Sequence, residues 1–114
     1  GFGLLGHVLE MARGSGLGVE IAADAPAVLP GVESLLQAGV RTGASGRNWA
    51  SYGASVRLPE GFPAWRQDLL TDPQTSGGLL VAVSDEDADA ALQLAREAGF
   101  GAARFVGRVV EGPP

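Results

Sequence analysis

Cysteine and lysine are both missing from this sequence of 114 residues. Without cysteine, the chain can form no disulfide, no thiolate metal site and no thiol nucleophile, and its redox compartment stays undetermined. Without lysine, it can place no ammonium group against a phosphate. The chain therefore offers neither a thiol nor an ammonium group of lysine as a catalytic candidate.

Clustered positive charge and long apolar runs are also missing. The eight arginines are scattered, the formal net charge is -5 and the isoelectric point lies near 4.6. This argues against nucleic-acid binding, because such binding requires grouped cations. No run approaches the ~20 apolar residues of a membrane span, and no basic segment precedes an apolar one as in a signal peptide. We expect a soluble, cytoplasmic protein without membrane partners.

Hydrophobic residues make up 46% of the chain, which is enough for one modest core in a single domain. Periodicity predicts helices over about 2–13, 31–38, 63–70 and 84–98, and strands over 17–24, 79–83 and 104–111. After a glycine and serine loop over 42–46, helix and strand signals conflict near Asn48, and we favour helical turns there.

The predicted elements indicate the fold class. The run Leu79–Val83 has no polar face, which is typical of a strand covered on both sides. Helices and strands do not alternate regularly, as they would in a doubly wound parallel sheet. The order therefore predicts an α+β fold, a mixed β-sheet layered with α-helices.

The segment 72–80, DPQTSGGLL, places a turn, two hydroxyls and two glycines directly before that apolar run. Because glycine has no Cβ, a backbone can approach a bound group closely there, and consecutive N–H groups can form an anion site. Thr75, Ser76, Gly77 and Gly78 are therefore candidates for contact with a phosphate or another ligand. The alternative is a tight connection in which glycine only relieves crowding.

Two other segments supply candidate ligand-contacting residues. Gly1 and Gly3 stand at the start of the first predicted helix, where unpaired N–H groups and the helix dipole favour an anion. The alternative is a helix start packed on a partner domain. Arg47 and Asn48 either contact a ligand or order their own loop.

His7 and an acidic run invite a catalytic or metal-binding interpretation that we do not favour. His7 is the only histidine and suits a structural hydrogen bond, with Glu10 as a possible partner, better than acid–base catalysis. The acidic residues precede a predicted helix, where dipole and capping effects explain them without a metal: Asp85, Glu86, Asp87 and Asp89. We predict no metal ligand in this chain.

Three segments resemble the selenophosphate synthetase (selenide, water dikinase) family. GFGLLGH over 1–7, RNWASYG over 47–53 and DPQTSGGLL over 72–80 are similar to the family's TGFGxxGH, RNxxSYG and DPQTSGGLL. The resemblance spans essentially the whole chain. It implies an aminoimidazole ribonucleotide synthetase type of fold, whose C-terminal domain is a mixed sheet sandwiched by helices.

The resemblance also implies a function. The family makes selenophosphate, AMP and phosphate from ATP, selenide and water with Mg²⁺, and a homodimer is expected of the full-length enzyme. Residues 1–114 would form one C-terminal domain, which partners an N-terminal domain that binds ATP and carries the catalytic cysteine or selenocysteine and lysine. A magnesium-binding aspartate of the family would stand just before Gly1. Arg47 and Asn48 would then face phosphate or selenium species, and we expect no tightly bound cofactor in this segment alone.

Two rival interpretations stay open. A related ATP-dependent enzyme of the same superfold would share the architecture and change the substrate, although the DPQTSGGLL and RNxxSYG strings argue against it. A non-enzymatic module for small-ligand binding or oligomerisation would account for the missing Cys and Lys.

Overall fold

The computed structural model describes residues 1–114 and contains five α-helices and two β-strands. The helices are α1 (Gly3–Ser15), α2 (Val32–Gln37), α3 (Gly43–Tyr52), α4 (Ala64–Thr71) and α5 (Ala88–Glu97). A 3₁₀ turn, Gly53–Ser55, follows α3, and the strands are β1 (Gly18–Ile21) and β2 (Gly107–Val110). None of these helices combines the length and apolar character needed to cross a membrane.

The core lies where α1, α3 and α4 meet. Apolar residues of α1 recur at helical spacing and are buried: Leu5, Val8, Leu9 and Ala12. Leu5 and Leu9 form one cluster with Tyr52 from α3 and Leu70 from α4. Burial of this apolar surface stabilises the three-helix arrangement and places the start of α1 beside the end of α4.

The sheet is a two-stranded antiparallel ribbon. Gly18 lies opposite Val110, and Ile21 lies opposite Gly107. Helices and this ribbon together confirm the predicted α+β class, but the sheet is smaller than the mixed sheet that we expected. The predictions for α1, β1, α2, α4 and β2 are confirmed in type, with boundaries that differ by a few residues.

The prediction of a buried strand over Leu79–Val83 is wrong. The segment pairs with no strand, and the side chains of Leu79 and Val81 are 95% and 69% exposed. An apolar run is buried only where another surface covers it, and α1, α3 and α4 pack against one another instead. The apolar sequence of this segment indicates a preference for burial, but no other element covers Leu79 and Val81.

Two helix starts also differ from expectation. Residues 43–46, predicted as loop, form the first turn of α3, because the Thr42 side chain accepts a hydrogen bond from the backbone N–H of Ser45 at 3.3 Å. The last helix begins at Ala88 and not at Ser84. Ser84 Oγ does accept from the backbone N–H of Asp87 at 3.3 Å, as a capping residue would, but it acts one turn before the helix.

Candidate functional site

One face of α3 carries three hydrogen-bond donors, Ser45, Asn48 and Tyr52. Their spacing of three and then four residues puts them on the same side of the helix. Each donates from its side chain to a backbone carbonyl at the start of α1 or the end of α4. This face therefore joins the two ends of chain that the core brings together.

Asn48 makes contact with both ends. Its Nδ2 donates to the carbonyl of Gly1 at 3.0 Å and to the carbonyl of Thr71 at 2.8 Å. The carbonyl of Thr71 is one of the last four of α4, which have no partner inside the helix. Asn48 thus caps α4 from a neighbouring helix and ties the N-terminal segment to the same point.

Tyr52 holds the adjacent residue of the N-terminal segment. Its side chain is buried, and its hydroxyl donates to the carbonyl of Phe2. Burial raises the pKa of the Tyr52 phenol above 10.0, against an opposing hydrogen bond from the backbone of Gly6. The phenol therefore stays protonated at neutral pH and keeps its donor.

Two buried hydroxyls complete the end of α4. Ser45 Oγ donates to the carbonyl of Asp68 at 3.2 Å, and Thr71 Oγ1 donates to the carbonyl of Gln67 at 2.8 Å. Ser45 and Thr71 are 1% and 0% exposed. Every buried side-chain polar atom has a hydrogen-bond partner, so no side-chain group at this end of α4 is buried without one.

Gly3 lies directly against Thr71. It adopts φ +74°, and a Cβ at this position would come within 2.7 Å of three backbone atoms of Thr71. Only glycine tolerates both conditions. The backbone of α1 therefore touches the residue from which the 72–78 loop departs.

The loop itself is anchored at its root and open at its tip. Asp72 accepts from Thr42 Oγ1 at 3.4 Å and from Gln74 Nε2 at 2.7 Å. The tip residues are exposed: Thr75, Ser76, Gly77 and Gly78. Neither Gly77 nor Gly78 has a positive φ, and a Cβ would meet nothing closer than 3.4 Å at Gly77 and nothing within 4 Å at Gly78.

The remaining sequence candidates make no side-chain hydrogen bond to the residues of this site. Arg47 is exposed on α3 and makes no side-chain hydrogen bond or ion pair. His7 is also exposed and pairs with Glu10, Nδ1 to Oε2 at 3.1 Å. In the acidic run, Asp87 accepts from Ser84 Oγ at 2.9 Å, and no three His, Cys, Asp or Glu side chains in the chain gather as a metal site would require.

The structure thus brings Gly1, Gly3 and Asn48 together at Thr71. Thr71, Ser45 and Tyr52 were not among the site residues predicted from the sequence. The recurrence of donors at positions 45, 48 and 52, on one face of a helix, is the signal that would have identified this face.

The whole chain is similar to proteins named selenide, water dikinase. The Burkholderia pseudomallei (strain K96243) protein is 57% identical over 112 residues, which cover 98% of this chain and 32% of that relative. The Dechloromonas aromatica (strain RCB) protein is 50% identical over 114 residues, covering 100% of this chain and 33% of that relative. The Rhizobium meliloti (strain 1021) protein is 52% identical over 112 residues, with 98% and 32% covered.

This chain therefore spans about a third of the length of these relatives. The sequence profile of the family described as AIR synthase related protein, C-terminal domain, matches residues 1–114. The matched region therefore includes the start of α1, the face of α3 that carries the three donors, and the 72–78 loop. By this match over its full length, the chain belongs to the AIR synthase related protein C-terminal domain family.

Proposed function

We propose that this chain is the C-terminal domain of a selenide, water dikinase, which converts ATP, selenide and water into selenophosphate, AMP and phosphate. One observation carries the proposal: the match to relatives of that name extends over the whole chain at 50% identity or more. Its partners are then the N-terminal domain of the same enzyme and a second copy of that enzyme, in the cytoplasm.

In this proposal the chain supplies backbone donors to the wall of the active-site cleft. The first turn of α1 has no acidic residue and no side-chain cap, and the N–H groups that begin a helix have no partner inside it, which favours an anion near this end. The exposed tip of the 72–78 loop starts from the residue that Gly3 touches. The start of α1 and the 72–78 loop, which both offer backbone N–H donors, therefore adjoin each other at Thr71.

The glycines of the loop tip support this role. The chain's own packing does not require them, because Gly77 and Gly78 lack a positive φ and a Cβ would meet no close neighbour. These observations argue against the alternative that the two glycines relieve crowding beside a buried strand. A bare backbone at the tip is useful to a group from outside the chain that must approach closely.

Magnesium does not fit this chain alone. No three carboxylate, histidine or thiol side chains are grouped to hold a metal ion, and we derive no step through a metal from these residues. Mg²⁺ and the catalytic groups belong, in this proposal, to the N-terminal domain.

The proposal is tested with a chimera in which this chain replaces the matching third of the Burkholderia pseudomallei relative. We expect the chimera to form AMP and selenophosphate from ATP only when selenide is present. The relative truncated before that third, and this chain by itself, serve as controls and should form neither product.

A folded chimera that forms no AMP with selenide would contradict the proposal. Turnover of ATP without selenide would favour the related enzyme with another substrate. Selenide-dependent AMP formation by this chain alone would contradict the division of roles between the two domains.

A further inference from the structure

We propose that Asn48 is a positioning residue that holds the start of α1 and the root of the 72–78 loop in the relative placement that turnover requires. This inference rests on the proposed function. It concerns a residue that acts through backbone carbonyls and not by contact with reacting atoms.

The hydrogen bonds leave one orientation for the Asn48 side chain. Both of its partners, the carbonyls of Gly1 and Thr71, are acceptors. The amide nitrogen must face them, because the side-chain oxygen would be repelled by both. The two N–H groups of the Asn48 amide therefore bond to Gly1 and Thr71, which lie 47 and 23 residues from Asn48 in the sequence.

No other side chain forms hydrogen bonds to both segments. Tyr52 contacts only the start of α1, at Phe2, and Thr42 contacts only the loop, at Asp72. Ser45 contacts neither segment and donates to Asp68 within α4. Loss of the Asn48 donor should therefore change how the two segments sit against each other. Loss of a neighbouring donor should loosen one of them and leave their relative placement intact.

Ser45 offers a matched control for the stability of α4. It lies three residues before Asn48 on the same face of α3, is 1% exposed and also donates to a carbonyl near the end of α4. Ser45→Ala removes a cap of the same helix without touching Gly1 or Thr71. A merely structural role for Asn48 would make the two positions behave alike.

The experiment compares Asn48→Asp, Asn48→Gln and Ser45→Ala in the chimera. Asp is nearly isosteric but replaces the donor with an acceptor, and Gln keeps the amide but moves it by one methylene. We expect kcat to fall roughly tenfold to hundredfold in both Asn48 variants, with the KM for ATP within about twofold of the parent. Ser45→Ala should lose a comparable amount of thermal stability but lower kcat much less than either Asn48 variant.

A second measurement separates failure of this inference from failure of the proposed function. Hydrogen exchange of backbone amides in this chain alone should quicken over both 1–5 and 71–78 in Asn48→Gln, but near α4 only in Ser45→Ala. An inactive parent chimera with that exchange pattern would overturn the proposed function and retain the positioning role. Parent-like kcat in a folded Asn48 variant would overturn the inference, as would loss of folding in both Asn48 variants, because Asn48 would then be a folding determinant.

Discussion

At the residue scale, Gly3 lies in close contact with the backbone of Thr71. Two separate restrictions meet at Gly3, a positive φ of +74° and backbone atoms within 2.7 Å of a Cβ position. Gly16, at the end of α1, has a similar φ of +69° but open space around it. Comparison of Gly3 with Gly16 distinguishes the free-energy cost of a left-handed backbone from that of a steric clash.

Gly3→Ala should destabilise the chain far more than Gly16→Ala. The cost at Gly16 is about 1 kcal/mol, because only the left-handed conformation is penalised. At Gly3 we expect more than about 3 kcal/mol, because the backbone of Thr71 must also move. Urea unfolding of the two variants provides the measurement, and equal midpoints would show that the approach to Thr71 is looser than described.

Tyr52 provides a prediction for alkaline pH. It is the only tyrosine, and the chain has no lysine or cysteine whose titration would overlap with that of the phenol at alkaline pH. Burial raises the folded-state pKa of the phenol above 10.0. The unfolded chain therefore loses this proton first, and the stability due to Tyr52 is complete below pH 10 and is lost as pH rises towards the folded-state pKa.

Tyr52→Phe should remove that alkaline loss. At pH 7 the variant should be less stable by about 1 kcal/mol, since the carbonyl of Phe2 loses a hydrogen-bond donor. Above pH 10 the difference between the two proteins should shrink as pH rises towards the folded-state pKa. Denaturant unfolding across this range, together with tyrosinate absorbance, gives the measurement, and a difference independent of pH would contradict the burial of the phenol.

At the element scale, the ends of helices decide the geometry of the site. The end of α4 receives donors from Ser45 and Asn48 of α3, which satisfy carbonyls that the helix itself leaves open. The start of α1 is held by hydrogen bonds that Asn48 and Tyr52 donate to the carbonyls of Gly1 and Phe2. α3 is therefore the element that aligns the other two.

The segment 79–83 allows a test of the corrected element assignment. Val81 is 69% exposed, whereas Leu70 of α4 is 4% exposed within the core cluster. In this chain alone, Val81→Asp should change the free energy of unfolding by no more than about 0.5 kcal/mol. Leu70→Ala should cost about 2–5 kcal/mol. Thermal unfolding of both variants provides the measurement. Strong destabilisation of the Val81→Asp variant would support the original prediction of a buried strand.

At the scale of the whole molecule, packing is uneven along the chain. The buried cluster draws on α1, α3 and α4, whereas large apolar side chains of the last third are exposed: Leu79, Val81, Leu94, Phe100 and Phe105. Stability therefore resides mainly in the three-helix part. The candidate site lies on this part, at the junction of its three helices.

The tip of the 72–78 loop provides a prediction for the longer protein. Gly77→Val should leave the stability of this chain nearly unchanged, since φ is not positive and the nearest atom to a Cβ, in Gln74, lies at 3.4 Å. In the chimera, the same change should depress selenophosphate formation, because a branched side chain blocks close approach of a ligand to the backbone. Ser76→Ala tests the hydroxyl separately with little backbone strain.

Parallel assays of selenophosphate formation and thermal unfolding distinguish the two roles of the loop. A Gly77→Val chimera with parent-like turnover, together with a similarly active Ser76→Ala chimera, would reduce the loop to a connector. A drop in turnover that merely follows a drop in stability would lead to the same conclusion.

The sequence by itself determined those helices and strands that are specified by the spacing of nearby apolar residues. The apolar spacing of Leu5, Val8 and Ala12 sufficed for α1, and the alternation around Val19 sufficed for β1, because each pattern reflects which side of one element is buried. Three motifs also sufficed to indicate a C-terminal domain of the aminoimidazole ribonucleotide synthetase type, which the family match over residues 1–114 confirms. The start of α3 was missed because a single Thr42 cap outweighed the glycines around it.

Only the tertiary structure decided which groups meet. Asn48 contacts Gly1 and Thr71 because α1, α3 and α4 bury one shared cluster, and no periodic pattern in the sequence records a contact across 47 residues. The same reason accounts for Leu79–Val83, whose composition favours burial but whose exposure depends on whether another element covers it. Hydrophobicity is a property of the residue, whereas burial and hydrogen-bond partnership are properties of the packed chain.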